Sequence, residues 1–213
     1  MVTKATANNN SNNKNKAKKT KVKTSRKGTE PSSTAPTDYY QTSSFLEMLQ
    51  AKFLAAEKGD PKSQVDIGQY YLYGQGLAKN HDQALTWFSR AADQDYMEGQ
   101  FMKGLIYYCG FGVEQRDLEQ AIFWIRKAAE QGHTAAEGQL GAFYARGEGV
   151  PKDIDMAIEW LTKAAEKGDG FAQWKLGGVY VRERGSNSEE DFELGIAWYR
   201  KEAAQKLSYS TPM

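Results

Sequence analysis

Four tyrosines divide most of this chain into equal steps. Tyr71, Tyr107, Tyr144 and Tyr180 lie 36, 37 and 36 residues apart. Four tryptophans, Trp87, Trp124, Trp160 and Trp198, keep nearly the same step at 37, 36 and 38. Gly68, Gly104, Gly141 and Gly177 each stand three residues before their tyrosine. Ala91-Ala92, Ala128-Ala129 and Ala164-Ala165 follow their tryptophan by four and five. A period of about 20–50 residues marks stacked units, none of which buries its apolar face alone. The hexapeptide AAEKGD, at residues 55–60 and again at 164–169, obeys the same rule, since its 109-residue separation is three periods.

Within each unit the pattern predicts two helices. Ala157, Trp160, Leu161, Ala164 and Ala165 fall at i, i+3, i+4, i+7 and i+8, one face of a helix. Ala84, Trp87, Phe88, Ala91, Ala92 and Ala121, Trp124, Ile125, Ala128, Ala129 repeat it. A shorter helix precedes each, with Leu140, Gly141 and Tyr144 sharing a face in the third unit. Glycine pairs at 74/76, 110/112 and 147/149 supply the positive φ of a helix-ending turn between the two, and Gly132 and Gly168 close second helices. A mid-helix glycine costs about 1 kcal/mol relative to alanine. Its recurrence at Gly68, Gly104, Gly141 and Gly177 therefore predicts a point where another backbone passes close. Residues 44–59 form a leading half-unit, and Ser44-Phe45-Leu46-Glu47 has the form of a capping box at its start. The expected fold is all-α: a right-handed α-solenoid of about four helix-turn-helix repeats, 61–96, 97–132, 133–169 and 170–206, plus the N-terminal half-repeat. The solenoid spans 43–207, between a basic tail and linker at 1–42 and a C-terminal tail at 208–213.

Ala136, Leu140, Gly141, Tyr144, Gly147, Gly149, Val150, Asp153, Ala157, Trp160, Lys163, Ala164, Ala165 and Gly168 together resemble the Sel1-like repeat, a relative of the tetratricopeptide repeat. The second unit departs at Lys103, where leucine is usual, and the first has Leu77 for valine. The fourth keeps Ala172, Leu176, Gly177, Tyr180 and Trp198 but replaces the glycine turn with residues 182–187, which predicts a longer, irregular connection. The resemblance implies an adaptor or scaffold in protein complexes, with the first helix of each pair lining a concave face. Many bacterial members are exported and cysteine-rich. This chain, with its single Cys109 and no secretory h-region, departs from those.

Charge is unevenly spread. Nine of the 28 Lys/Arg residues and none of the 27 Asp/Glu lie in residues 1–29, so the remainder carries 19 basic against 27 acidic groups, a net charge of −8. The tail is too polar to offset its ordering entropy and reads as disordered. It is either a solvated extension or a polyanion-binding arm in which Lys14, Lys16, Lys18, Lys19, Lys21, Lys23, Arg26 and Lys27 contact nucleic acid or anionic lipid without base readout. The same residues suit a nuclear address in a eukaryotic host. One cysteine makes no internal disulfide, and no run approaches the roughly 18 apolar residues of a membrane span. A cytoplasmic location is expected.

No catalytic constellation emerges. His81 and His133 lie in different units near helix ends, and no Cys/His cluster has metal spacing. Cys109 reads as a small buried thiol beside the Gly110 turn. The Gly-x-Gly pairs follow helices, so they lack the strand-turn-helix context of phosphate loops. Neither enzyme activity nor a metal or cofactor is expected; a hydrolase is kept as a minor alternative, by analogy with the exported relatives. Protein partners remain, of unidentified kind, held as a peptide or helix in the groove. The candidate concave-face residues are Gln69, Tyr73, Phe101, Tyr108, Gln139, Arg146, Trp174 and Arg182, an aromatic-plus-arginine set typical of binding hot spots. Phe101 and Trp174 have a second reading as packing between adjacent first helices. Arg146 and Arg182 suit an acidic peptide or a free carboxylate. The alternative function makes the tail primary, with the solenoid recruiting partners to a polyanion or membrane surface.

Overall fold

The twin hexapeptide shows how the chain turns from one unit to the next. Gly59 and Gly168 hold φ of 99° and 91°, values that suit a residue without Cβ. The amide of the following aspartate then bonds back over the turn, Asp60 to the Ala55 carbonyl and Asp169 to that of Ala164, each at 3.1 Å. The aspartate side chain starts the next helix: Asp60 accepts from the Ser63 amide at 2.8 Å and Asp169 from Ala172 at 2.6 Å. Six residues thus end one helix and cap another, and each cap is worth about 1 kcal/mol. In the first unit Asp95 takes the glycine's place at φ 60°, a conformation aspartate tolerates.

The computed structural model describes residues 37–184 and 188–210. Its helices are α1 (Thr37–Glu57), α2 (Pro61–Tyr73), α3 (His81–Ala92), α4 (Met97–Cys109), α5 (Leu118–Glu130), α6 (Thr134–Arg146), α7 (Ile154–Glu166), α8 (Gly170–Val179) and α9 (Glu189–Ser210). A π-helical turn, Tyr180–Arg184, extends α8. Among the described residues there is no strand. Two expectations need correction. Helix α1 begins at Thr37, ahead of the boundary at 43, so Ser44 lies inside the helix and the capping box does not form its start. Cys109 is exposed rather than buried. In the fourth unit's connection, residues 182–184 belong to the π-helical turn, and residues 185–187, the rest of the stretch expected to be irregular, lie outside the described residues. Lys14 to Lys27, and the polyanion-binding reading attached to them, lie outside the described residues.

Each helix packs on its sequence neighbours, and α2 also touches α4 while α6 touches α8. First helices of consecutive pairs therefore approach one another and form the inner surface of the stack. The recurring glycines set the closeness within a pair. A Cβ on Gly104 would stand 3.1 Å from the Ala121 carbonyl, and one on Gly141 would stand 3.1 Å from that of Ala157, with Leu161 nearer still. Hairpins are closed by the same bond in three units: the Asn80, Asp117 and Asp153 amides donate to the Tyr71, Tyr107 and Tyr144 carbonyls at 2.9–3.0 Å. Core clusters cross unit boundaries. Val65 and Leu72 of α2, Phe88 of α3 and Met102 and Ile106 of α4 form one, so no pair is self-sufficient.

Four buried polar residues, Gln64, Gln100, Glu137 and Gln173, recur at equivalent positions. Three accept a side chain from the end of their unit's second helix: Gln64 from Gln94 and Gln100 from Gln131, each at 2.8 Å, and Glu137 from Lys167 at 2.7 Å. This ladder ties each first helix to the turn that leads into the following unit.

Candidate partner-binding face

The first helices place the candidate residues in different environments, because a helix has one side toward its own partner, one toward the next unit and one toward the groove. Phe101 faces the next unit. Its ring lies 4.5 Å from the His133 ring, and it packs against the cores on both sides of α4. His133 is itself committed: Nδ1 accepts from the Ala136 amide at 3.2 Å, capping α6, and Nε2 lies 2.7 Å from Glu98. Phe101 thus packs between units, the second of the two readings its position allows, and stays half-buried. Tyr108 is half-buried, its ring 5.3 Å from Phe143 and covered by the Arg116 guanidinium at 4.3 Å. Gln69 and Gln139 are half-buried, and Tyr73, at the end of α2, is 61% exposed.

Arg146, Trp174 and Arg182 come together. With Ala145, Lys175, Gly178, Val179, Glu183 and Tyr199 they line a cleft of about 130 Å³ between the first helices of the last two units. Arg146 reaches it from the last turn of α6, Trp174 and Lys175 from α8, Arg182 from the π-helical turn and Tyr199 from α9. The structure does not bring Gln69, Tyr73, Phe101, Tyr108 or Gln139 into this cleft.

The cleft is electropositive. Arg146 is bound at 2.6 Å to Glu148, which also pairs with Arg116. Glu183 is engaged by Lys152 at 2.8 Å. Lys175 and Arg182 have no carboxylate within ion-pair distance among the described residues. Burial, reinforced by the neighbouring Arg146 and Arg182 charges, holds the Lys175 ammonium below the usual lysine range. Its Nζ lies over the Trp174 ring, 4.6 Å from the centroid. Burial pushes the Glu148 carboxyl up, but the Arg116 and Arg146 guanidiniums outweigh it and leave the group below the usual carboxylate range.

Trp174 also walls a second hollow, of about 370 Å³. Phe171 and Gly170 share that wall with Trp174, and Glu202, Gln205 and Lys206 of α9 face them. Sequence reasoning missed Lys175 and Tyr199. Lys175 stands directly before the repeat's leucine, where the earlier units carry Asp66, Met102 and Gln139, so comparing one more row would have marked it. Among the described residues, no three His, Cys, Asp or Glu side chains gather in a way that would hold a metal ion, and no helix is long and apolar enough to cross a membrane.

Comparison with known proteins agrees with this geometry. The Sel1 repeat family model matches residues 61–96, 98–133, 134–169 and 170–207. A protective antigen of uropathogenic Escherichia coli with the same repeat fold superposes with a TM-score of 0.68 at 36% identity, over 74% of this chain and 33% of that one. A Sel1 repeat protein from Oxalobacter formigenes gives 0.62 at 32% identity, over 73% and 63%. A component of an ERAD-associated E3 ubiquitin-protein ligase of Arabidopsis thaliana, HRD3B, is 31% identical over 99 residues, 46% of this chain and 15% of that protein. The chain therefore spans less than two thirds of each of these relatives. With four matched repeats covering most of its length, it belongs to the Sel1 repeat family.

Proposed function

We propose that this protein is a non-catalytic interaction scaffold that holds a segment of a partner protein against its first-helix face. The observation that carries this reading is the cleft at the last two units. There Arg146, Trp174 and Arg182, side chains the repeat does not need for its own packing, converge on one surface of an otherwise regular stack. Aromatic and arginine side chains of this kind supply most of the energy of protein interfaces. Both histidines support the non-catalytic part. His133 is occupied as a helix cap, and His81 stacks on Phe111 at 4.7 Å. The plant relative is a component of a multi-protein ligase, and that too favours a scaffold.

The test is affinity capture with the wild-type chain and an Arg146→Ala/Trp174→Ala variant, coupled to quantitative mass spectrometry. Proteins enriched by the wild type and lost from the variant, at unchanged melting temperature, are the expected outcome. An identical set of captured proteins removes the cleft from the interaction surface.

A further inference from the structure

We propose that the cleft between α6 and α8 is a binding site for an acidic peptide segment, whose carboxylates are received by Lys175, Arg182 and Arg146 while its backbone lies on the Trp174 indole. The assignment rests on the scaffold reading above and names the chemistry of the partner. Three observations carry it. The cations come from three different places in the chain, α6, α8 and the π-helical turn, and converge on one cleft. Two of them, Lys175 and Arg182, have no carboxylate within ion-pair distance among the described residues. They are also gathered on a body whose net charge outside the tail is −8, and the carboxylates nearest the cleft are engaged by other cations, Glu183 by Lys152 and Glu148 by Arg116 and Arg146.

Placing like charges together costs free energy, which a bound anion returns. The Lys175 ammonium is held low first by burial, and the Arg146 and Arg182 charges add to it. Arginine forks pair carboxylates with two parallel hydrogen bonds, and lysine adds a point charge. The Trp174 ring, 47% exposed beside them, supplies an apolar platform for the intervening backbone and side chains. Elsewhere on the inner surface the corresponding positions are neutral or satisfied: Asp66 is paired with Lys52, and Tyr73 and Cys109 stand where Arg146 and Arg182 do. The acidic segment is thus received at the C-terminal half of the groove.

The experiment is fluorescence anisotropy with the full chain and two short fluorescein-labelled peptides of glutamate, glycine and one central phenylalanine, the second with every glutamate replaced by glutamine. The glutamate probe should bind at least about tenfold more tightly, since each charge-assisted contact is worth about that factor. Added salt should weaken it. Lys175→Gln and Arg182→Gln should each reduce its affinity about three- to tenfold without lowering the melting temperature, as both side chains are outside the core. A Lys175→Glu chain should reject the probe altogether. Equal binding of the two probes, or of neither, overturns the acidic assignment and leaves the scaffold reading to the capture experiment. A single-stranded RNA probe that binds the wild type more tightly than the glutamate peptide, and is lost in the same variants, overturns it in favour of a nucleic-acid ligand.

Discussion

Phe101 and Trp174 occupy the same position in the second and fourth units, and their surroundings differ completely. Phe101 is covered by the following unit, with the ring of His133 set against it. Trp174 has no following unit among the described residues, and it lines both an apolar hollow and a cationic cleft. The ladder of buried polar residues breaks at the same place. Gln64, Gln100 and Glu137 each receive a side chain from the turn after their second helix. Gln173 keeps only a bond from its Nε2 to the Ala165 carbonyl, and its Oε1 has no partner. Lys206 explains the break. It stands where Gly132 and Gly168 turn the chain and pairs with Glu202 along the helix, so α9 runs on to Ser210. In a solenoid, the neighbour decides whether a position is structure or surface.

Truncating both aromatics breaks the comparison most directly. Phe101→Ala removes a ring shared by two cores and leaves His133 unsupported, and it should cost about 2 kcal/mol, below the range for a fully buried phenylalanine because the ring is half-buried. Trp174→Ala removes the larger side chain and should change stability by less than about 0.5 kcal/mol. Urea unfolding followed by circular dichroism measures both. Equal costs would mean that the end of the stack is covered in solution. Conversely, Trp174→Ala should weaken the glutamate probe and Phe101→Ala should leave it bound.

A second contrast sets the same units against each other from inside. Leu140 and Leu176 are fully buried at the repeat's leucine position, where the second unit has Lys103. The lysine survives there by laying its ammonium on Trp124, 3.9 Å from the ring centroid, with Asp93 at 3.6 Å. The cation–ring contact returns about 1–2 kcal/mol, against several for taking the charge out of water. Lys103→Leu restores the repeat and should stabilise the chain by about 1 kcal/mol, seen as a higher urea midpoint with unchanged slope. A loss of stability would show that the ammonium is an integral part of the boundary between α4 and α5.

The fold was legible because it is written repeatedly. Equivalent tyrosines, tryptophans, glycines and alanine pairs in successive units make the period visible, and a glycine recurring in mid-helix announces a close backbone. The polar ladder was less so, since glutamine and glutamate alternate at its rungs and their partners are glutamine and lysine. The start of α1 escaped for a local reason: Ser44 and Glu47 have capping chemistry, but a longer helix already passes through them. The site was half legible. Arg146 and Arg182 lie one period apart on the groove side, and counting finds them. Phe101 and Trp174 share a row, and no count of that row says that one is covered and the other is not.

Glu148 offers the smallest effect and the most discriminating one. Its carboxylate joins Arg116, in the connection after α4, to Arg146, at the edge of the cleft, so it links a structural loop to the proposed site. Both arginines are more than a third exposed, so screening keeps the pair weak, and Glu148→Gln should cost about 0.5 kcal/mol at neutral pH. Because the folded carboxyl titrates below the ordinary carboxylate range, that contribution is complete above this range and disappears as pH falls through the lowered value. The difference between wild type and variant, measured by urea midpoints, should therefore vanish on acidification. Binding should move in the opposite direction. Glu148 competes with any incoming carboxylate for Arg146, and neutralising it should tighten the glutamate probe by about two- to fivefold while the fold loses a little stability. A variant that loses both stability and probe affinity would mean that Glu148 holds Arg146 in place for the ligand, and that the cleft depends on the loop network.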